Sequence, residues 1–130
     1  GVKRMSKTII STPHAPAALG PYSQGVKVGH MIYTAGQLGL DPATGKLVDG
    51  LEAQTEQALR NLAAILEAAG SRMENVVKTT CFLADIADFK AFNGVYARFF
   101  ASNPPARSTI QAGALPADAR VEIEVVAFVE

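Results

Sequence analysis

The last strand-like run of the chain, Arg120–Val129, sets the strongest limit on its fold. Side chains of a strand alternate between its two faces. Beyond Glu124, Val125, Ala127 and Val129 therefore point one way and Val126 and Phe128 the other, so this strand is apolar on both sides. Both faces of the sheet it belongs to have to be covered, and the rest of the chain decides by what.

Two helices are legible. Over residues 51–69, Leu51, Thr55, Ala58, Leu59, Leu62, Ile65, Leu66 and Ala69 recur at three- and four-residue steps, with Glu52, Glu56, Arg60 and Glu67 off that stripe. Gly70 stands where a left-handed C-terminal cap belongs. A second helix is expected from about Ile86 to Phe100, capped by Asp85, with a largely aromatic stripe of Ile86, Phe89, Phe92, Tyr96, Phe99 and Phe100 that reads first as core. Asn103-Pro104-Pro105 stops it. Strands are expected around Thr8–Ile10, at Val26–Val28 and Met31–Ala35 across a Gly29-His30 turn, at Val76–Ala84, and at Ala106–Ala112 and Arg120–Val129. The order is β-ββ-α-β-α-ββ, an α+β domain. Two helices cannot cover both faces of a sheet of about five or six strands. A second copy of the chain is the economical cover for the other face.

The chain of 130 residues fits one domain over residues 1–130. Met5-Ser6 looks like a natural start, so residues 1–4 read as a cloning remnant or alternative start, and residues 1–5 as disordered or added. Apolar residues make up 48% and charged residues 18%, a globular composition. The net charge is zero with scattered basic residues, which gives no footprint for nucleic acid or an anionic membrane. The apolar runs break well short of the roughly 18 residues of a membrane-spanning helix, and the N-terminus lacks a signal-peptide core. The lone Cys81 forms no internal disulfide and points to the cytoplasm. His14 and His30 have no spaced ligand partners, so neither a metal site nor a cofactor is expected.

Arg107 opens one of the two closing strands and Glu122 the other. A guanidinium can hold a carboxylate through two parallel hydrogen bonds, and a nearby carboxyl can move protons to and from water. A salt bridge between neighbouring strands is the plainer alternative. Glu122 leads into an apolar strand, where desolvation would raise its pKa. Tyr22 sits in a constrained Gly20-Pro21-Tyr22-Ser23-Gln24-Gly25 loop. Gly36 ends a strand, where it could expose a backbone N–H or form a bulge. Asn93 lies inside the second helix, able to reach a loop or line a pocket.

The run Pro105-Ala106-Arg107-Ser108-x-Ile110-x-x-Gly113-x-Leu115, followed by Val121-Glu122-Ile123, resembles the signature of the RidA/YjgF/YER057c/UK114 family of enamine/imine deaminases. Gly20-Pro21-Tyr22-Ser23-Gln24, Ala35-Gly36-Gln37, the Gln54–Gly70 helix, Val77-Lys78-Thr79-Thr80 and Asp88-Phe89 through Asn93, Tyr96 and Phe99-Phe100 match it too, from about Ser6 to Glu130.

The resemblance implies a chorismate-mutase-like α+β sheet with two helices on one face, and a homotrimer whose sheets form a central barrel with active sites between subunits. Arg107 would clamp a substrate carboxylate and Glu122 would position and activate water. Tyr22 would border the pocket, and the backbone of Gly36 would bind the carboxylate. Asn93, Ser108 and Thr109 would also meet the substrate. Thr109 stands where relatives often have cysteine, which excludes a thiol role there. The substrates would be 2-aminoacrylate and related enamines or imines, hydrolysed without cofactor or metal to 2-keto acids and ammonia. Two other functions fit the same frame: a non-catalytic binder of 2-keto acids or short fatty acids, and a ribonuclease or translation inhibitor. The absence of a basic stripe and of a histidine pair argues against the last.

Overall fold

The computed structural model of the chain describes residues 6–130. The expectation about residues 1–5 lies outside the described residues.

Strands β1 (Lys7–Ile10), β2 (Gly25–Val28) and β3 (Met31–Thr34) form an antiparallel meander. Its hairpin turns at Gly29, whose φ of 59° favours a residue without a Cβ. β3 pairs with the last strand, β7 (Val121–Phe128), which pairs in turn with β5 (Val76–Leu83). β5 runs parallel to the edge strand β6 (Ala106–Gln111), the one parallel pair among the described residues. Between them runs helix α2 (Phe89–Phe99), the long crossover a parallel pair requires. A two-residue strand, β4 (Gln37–Leu38), joins β7 through Gln37↔Ile123 and Leu38↔Glu122 and completes a seven-stranded sheet. The sequence pattern misses β4, because Gly36 and Gly39 leave it too short to show alternation.

Helix α1 (Leu51–Ala68) buries the expected stripe and also Gln54 and Asn61. Both amides have backbone partners. Asn61 Nδ2 donates to the carbonyls of Leu38 at 3.2 Å and Leu40 at 2.9 Å, and Gln54 Oε1 accepts from Arg120 N at 2.8 Å. Buried amides bonded to the backbone of other elements tie those elements in register, and these fix α1 against β4 and the start of β7. A Cβ at Gly39 would stand 2.5 Å from the Cα of Gln54, so only glycine allows this approach. Gly70, at φ 81°, ends the helix as expected. Ser71 N donates to Leu66 O and Gly70 N to Glu67 O, the two bonds of a Schellman cap.

Asp85 does cap the second helical segment, accepting from Ala87 N at 2.9 Å, but the first turn, Ile86–Asp88, is a 3-10 turn. Ile86 consequently leaves the stripe and is exposed, while Phe92, Tyr96 and Phe100 are buried. Both helices belong to one face of the sheet, where Val121, Ile123, Val125 and Ala127 enter the same core as Leu59, Leu62, Ile65 and Phe92. Glu122, Glu124, Val126 and Phe128 take the other face, which no helix among the described residues covers. The expected α+β sheet with helices on one side is present.

Candidate active site

Arg107 lies on the helix face of β6, level with Thr79 of β5. Its guanidinium carbon is 4.7 Å from the ring centre of Tyr96, 5.3 Å from that of Phe89 and 5.7 Å from that of Phe92. Rings at these distances attract the cation through their negative faces. Nη1 donates to Asn93 Oδ1 at 2.7 Å. Among the described residues no carboxylate forms an ion pair with Arg107. A cavity of about 460 Å³ opens here, lined by Arg107, Asn93, Tyr96, Phe100, Pro104 and Pro105. Two positions along the strand, on the same face, Thr109 Oγ1 is buried without a hydrogen-bond partner among the described residues. Its neighbour Cys81 has a thiol pushed up to about 11, chiefly by burial, so it stays protonated and is no nucleophile.

Glu122 belongs to a different cavity of about 410 Å³, lined with Tyr22, Gly36, Leu38, Leu40, Pro16 and Pro116. Partial burial, and then the charge of Glu124, raise its carboxyl above the ordinary value. Gly36 is where it must be. A Cβ there would lie 2.8 Å from the Glu122 carboxyl carbon and 3.0 Å from its Cγ. The loop that brings Tyr22 to this cavity is held by Gln24. Its Oε1 accepts from Thr12 N at 2.7 Å, while Nε2 donates to Thr12 O at 3.0 Å and Pro16 O at 2.8 Å.

The residues picked from sequence thus fall into two groups. Arg107, Asn93 and Thr109 share the helix face of β6 and α2; Tyr22, Gly36 and Glu122 share the other cavity. Arg107 and Glu122 do not meet, and the plain salt bridge between neighbouring strands is absent. Ser108 belongs to neither group. Alternation along β6 turns its side chain to the face away from Arg107, where it accepts from Lys78 Nζ at 2.9 Å. Its side chain therefore faces away from the Arg107 cavity of the same chain. Sequence reasoning quoted Thr79, Gln24 and Tyr96 within the matching motifs but gave none of them a place at a site, reading Tyr96 as part of the core stripe. The signal for Tyr96 was its hydroxyl, since a buried tyrosine needs a partner. Among the described residues no cluster of His, Cys, Asp and Glu could hold a metal.

The family profile described as Endoribonuclease L-PSP matches residues 12–129. The chain is 52% identical over 123 residues to the human protein named 2-iminobutanoate/2-iminopropanoate deaminase, covering 94% of this chain and 90% of that one. It is 52% identical over 124 residues to the chloroplastic Reactive Intermediate Deaminase A of Arabidopsis thaliana, covering 95% of this chain and 66% of the relative. A solved structure of E. coli TdcF with bound serine superposes with a TM-score of 0.91 at 40% identity, over 95% of this chain and 99% of that one.

Proposed function

The chain belongs to the RidA family, the one covered by the Endoribonuclease L-PSP profile, and from that membership together with the two cavities we propose that it is a cofactor-independent enamine/imine deaminase. It hydrolyses 2-aminoacrylate, 2-iminopropanoate and 2-iminobutanoate to 2-keto acids and ammonia. The observation that carries this reading is Arg107: a half-buried cation, held by Asn93 and three rings, with no carboxylate of its own among the described residues. Such a group is suited to a ligand carboxylate. Names of relatives supply the substrate class.

The site is composite. One copy supplies Arg107, Asn93 and Thr109, and a second supplies Glu122, Gly36 and Tyr22, with the backbone of Gly36 against the substrate carboxylate and Ser108 reaching the ligand only through its backbone. The open sheet face, with Tyr33, Ile9 and Ile110 exposed on it, is the natural surface for assembly into a homotrimer. The assembling unit is a single domain over the described residues 6–130. Arg107 fixes the carboxylate and Thr109 Oγ1 gains a partner in the ligand or its water. Glu122, its carboxyl raised above the ordinary value chiefly by partial burial, is the group that passes a proton to C3 of 2-aminoacrylate, giving the imine. As a carboxylate it then orients water for addition to C2. The proton that the water gives up to the Glu122 carboxylate passes to the amino nitrogen of the carbinolamine, the C–N bond breaks as ammonia leaves, and the hydroxyl proton returns to the carboxylate as the 2-keto acid forms. A cytoplasmic setting is part of the proposal, from the single buried thiol, although one relative is chloroplastic. Among the described residues no helix is long and apolar enough to cross a membrane.

The serine bound to TdcF favours a second reading, a protein that binds small amino or keto acids without turning them over. The ribonuclease reading has weaker support: His14 and His30 are both exposed, on separate turns, and neither lines the two cavities. A coupled assay that generates 2-iminopropanoate separates the readings. Turnover in the wild type that is lost in Arg107→Ala supports the deaminase; binding of pyruvate without acceleration of imine hydrolysis favours the binder.

A further inference from the structure

Tyr96 has a tie that its neighbours Phe89 and Phe92 lack. Its hydroxyl lies 2.8 Å from Thr79 Oγ1, and both groups are buried. Thr79 is the residue directly beside Arg107 in the parallel β5–β6 register. The Tyr96 ring in turn is the nearest of the three rings to the Arg107 guanidinium. The chain of contacts therefore closes on itself: Arg107 to its strand neighbour Thr79, Thr79 to the Tyr96 hydroxyl, and the Tyr96 ring back to Arg107. Packing against Phe92 at 5.4 Å and Phe100 at 4.6 Å between ring centres fixes the ring further.

Core packing alone does not explain the arrangement. Phenylalanine and valine would fill the same volumes without burying two hydroxyls, and a buried hydroxyl pair contributes little over an apolar pair of the same shape. What the pair does supply is orientation. An arginine on an edge strand has many rotamers, and Asn93 takes only Nη1.

We propose that Tyr96, held by the Thr79 hydroxyl, is a positioning residue for Arg107, presenting the guanidinium in the pose in which it receives the substrate carboxylate. This rests on the carboxylate-clamp reading above. The ring forms the floor and Asn93 one wall. Rotamer freedom is removed before the ligand arrives, which is how preorganisation raises affinity.

The test uses Tyr96→Leu, Tyr96→Phe and Thr79→Val in the full-length assembly, with two readouts. The first is pyruvate affinity by calorimetry beside turnover of 2-iminopropanoate. The second is the NMR signal of the arginine Nε–H that disappears in Arg107→Lys. Tyr96→Leu should weaken pyruvate binding about tenfold or more and raise KM more than it lowers kcat. It should also reduce the ring-current shift of the Arg107 signal, leaving the part due to Phe89 and Phe92. Tyr96→Phe and Thr79→Val should each weaken binding by a smaller and similar factor, and the double variant should be no worse than either, because both remove one hydrogen bond. A protein with merely weakened packing would lower its unfolding temperature without moving pyruvate affinity or the arginine signal. Wild-type affinity and an unchanged Arg107 signal in Tyr96→Leu overturn the proposal. Should that variant not fold, wild-type values in both milder variants overturn it instead. A wild type that neither binds pyruvate nor hydrolyses the imine brings down the functional reading, whereas an Arg107 signal insensitive to Tyr96 brings down this one.

Discussion

Arg107 and Glu122 lie on opposite faces of one sheet. Arg107 is level with Thr79, which is buried on the helix face, and Glu122 pairs with Phe82, which is turned to the other face. No rotamer carries either side chain through the sheet. A reaction that needs both must draw them from two copies of the chain. Arg107→Ala and Glu122→Gln should therefore each be inactive alone and regain activity when unfolded together and refolded as mixed assemblies. With equal mixing in a ring of identical contacts, about a quarter of the sites contain both wild-type residues. Recovery near that fraction is the expected outcome; none at all would show that both groups act from one chain.

The missing side chain of Gly36 is the space that the Glu122 carboxyl occupies. Gly36→Ala places a methyl group 2.8 Å from the carboxyl carbon, far inside van der Waals contact. The glutamate is the flexible partner, so it should move and the fold survive. A displaced general acid/base loses about 10²–10⁴-fold in rate. Turnover should fall within that range while the unfolding temperature changes little. Near-wild-type kcat in Gly36→Ala would show that the Glu122 position does not matter to the chemistry.

The raised pKa of Glu122 sets the sign of two pH effects. A carboxyl whose folded pKa exceeds its unfolded one binds more protons when folded, so stability falls as pH rises through the window between the two values. The window begins near the ordinary 4.5 and extends upward. Glu122→Gln should thus match the wild type in acid and exceed it in stability at neutral pH, as urea titrations at several pH values would show. Glu124→Gln removes the second cause of the shift and leaves burial, the first, in place. The limb of kcat/KM that belongs to Glu122 should move to lower pH without reaching that of a free carboxyl.

Much of this was legible in the residues because one physical rule governed each case. The α1 stripe from Leu51 to Leu66, the Gly70 cap and the alternation along Val121–Phe128 follow from periodicity and backbone sterics, and all are present. The two-faced apolar strand announced an uncovered sheet face, and the helices do leave one bare. β4 escaped because two residues carry no period, and the 3-10 entry to α2 because Asp85 caps either kind of helix. Gln54 and Asn61 escaped for a different reason: they sit on the apolar stripe, and a buried amide is visible only once its carbonyl partners are placed. The Arg107 setting was hidden likewise. Three aromatic residues spaced for a core were legible as a core, and the cation they surround came from a strand that follows in sequence.

The loop before β2 offers a last test, because one side chain holds it. The amide of Gln24 is buried and bonds to both backbone groups of Thr12 and to the carbonyl of Pro16. Pro16 and Tyr22 line the Glu122 cavity, so this clamp shapes one of its walls. Replacing it by Gln24→Leu keeps the volume and removes every bond. The Thr12 N–H and the carbonyls then lose their partners, at about 1–3 kcal/mol for each group left buried and unpaired. A flexible loop relieves that penalty by opening to water, and opening moves Tyr22 away from Glu122. The expected result is a modest loss of global stability in urea titrations together with a KM raised more than kcat is lowered. Faster amide hydrogen exchange should be confined to residues 11–23. A large stability loss with unchanged KM would show instead that the loop braces the core and that its contribution to the cavity is incidental.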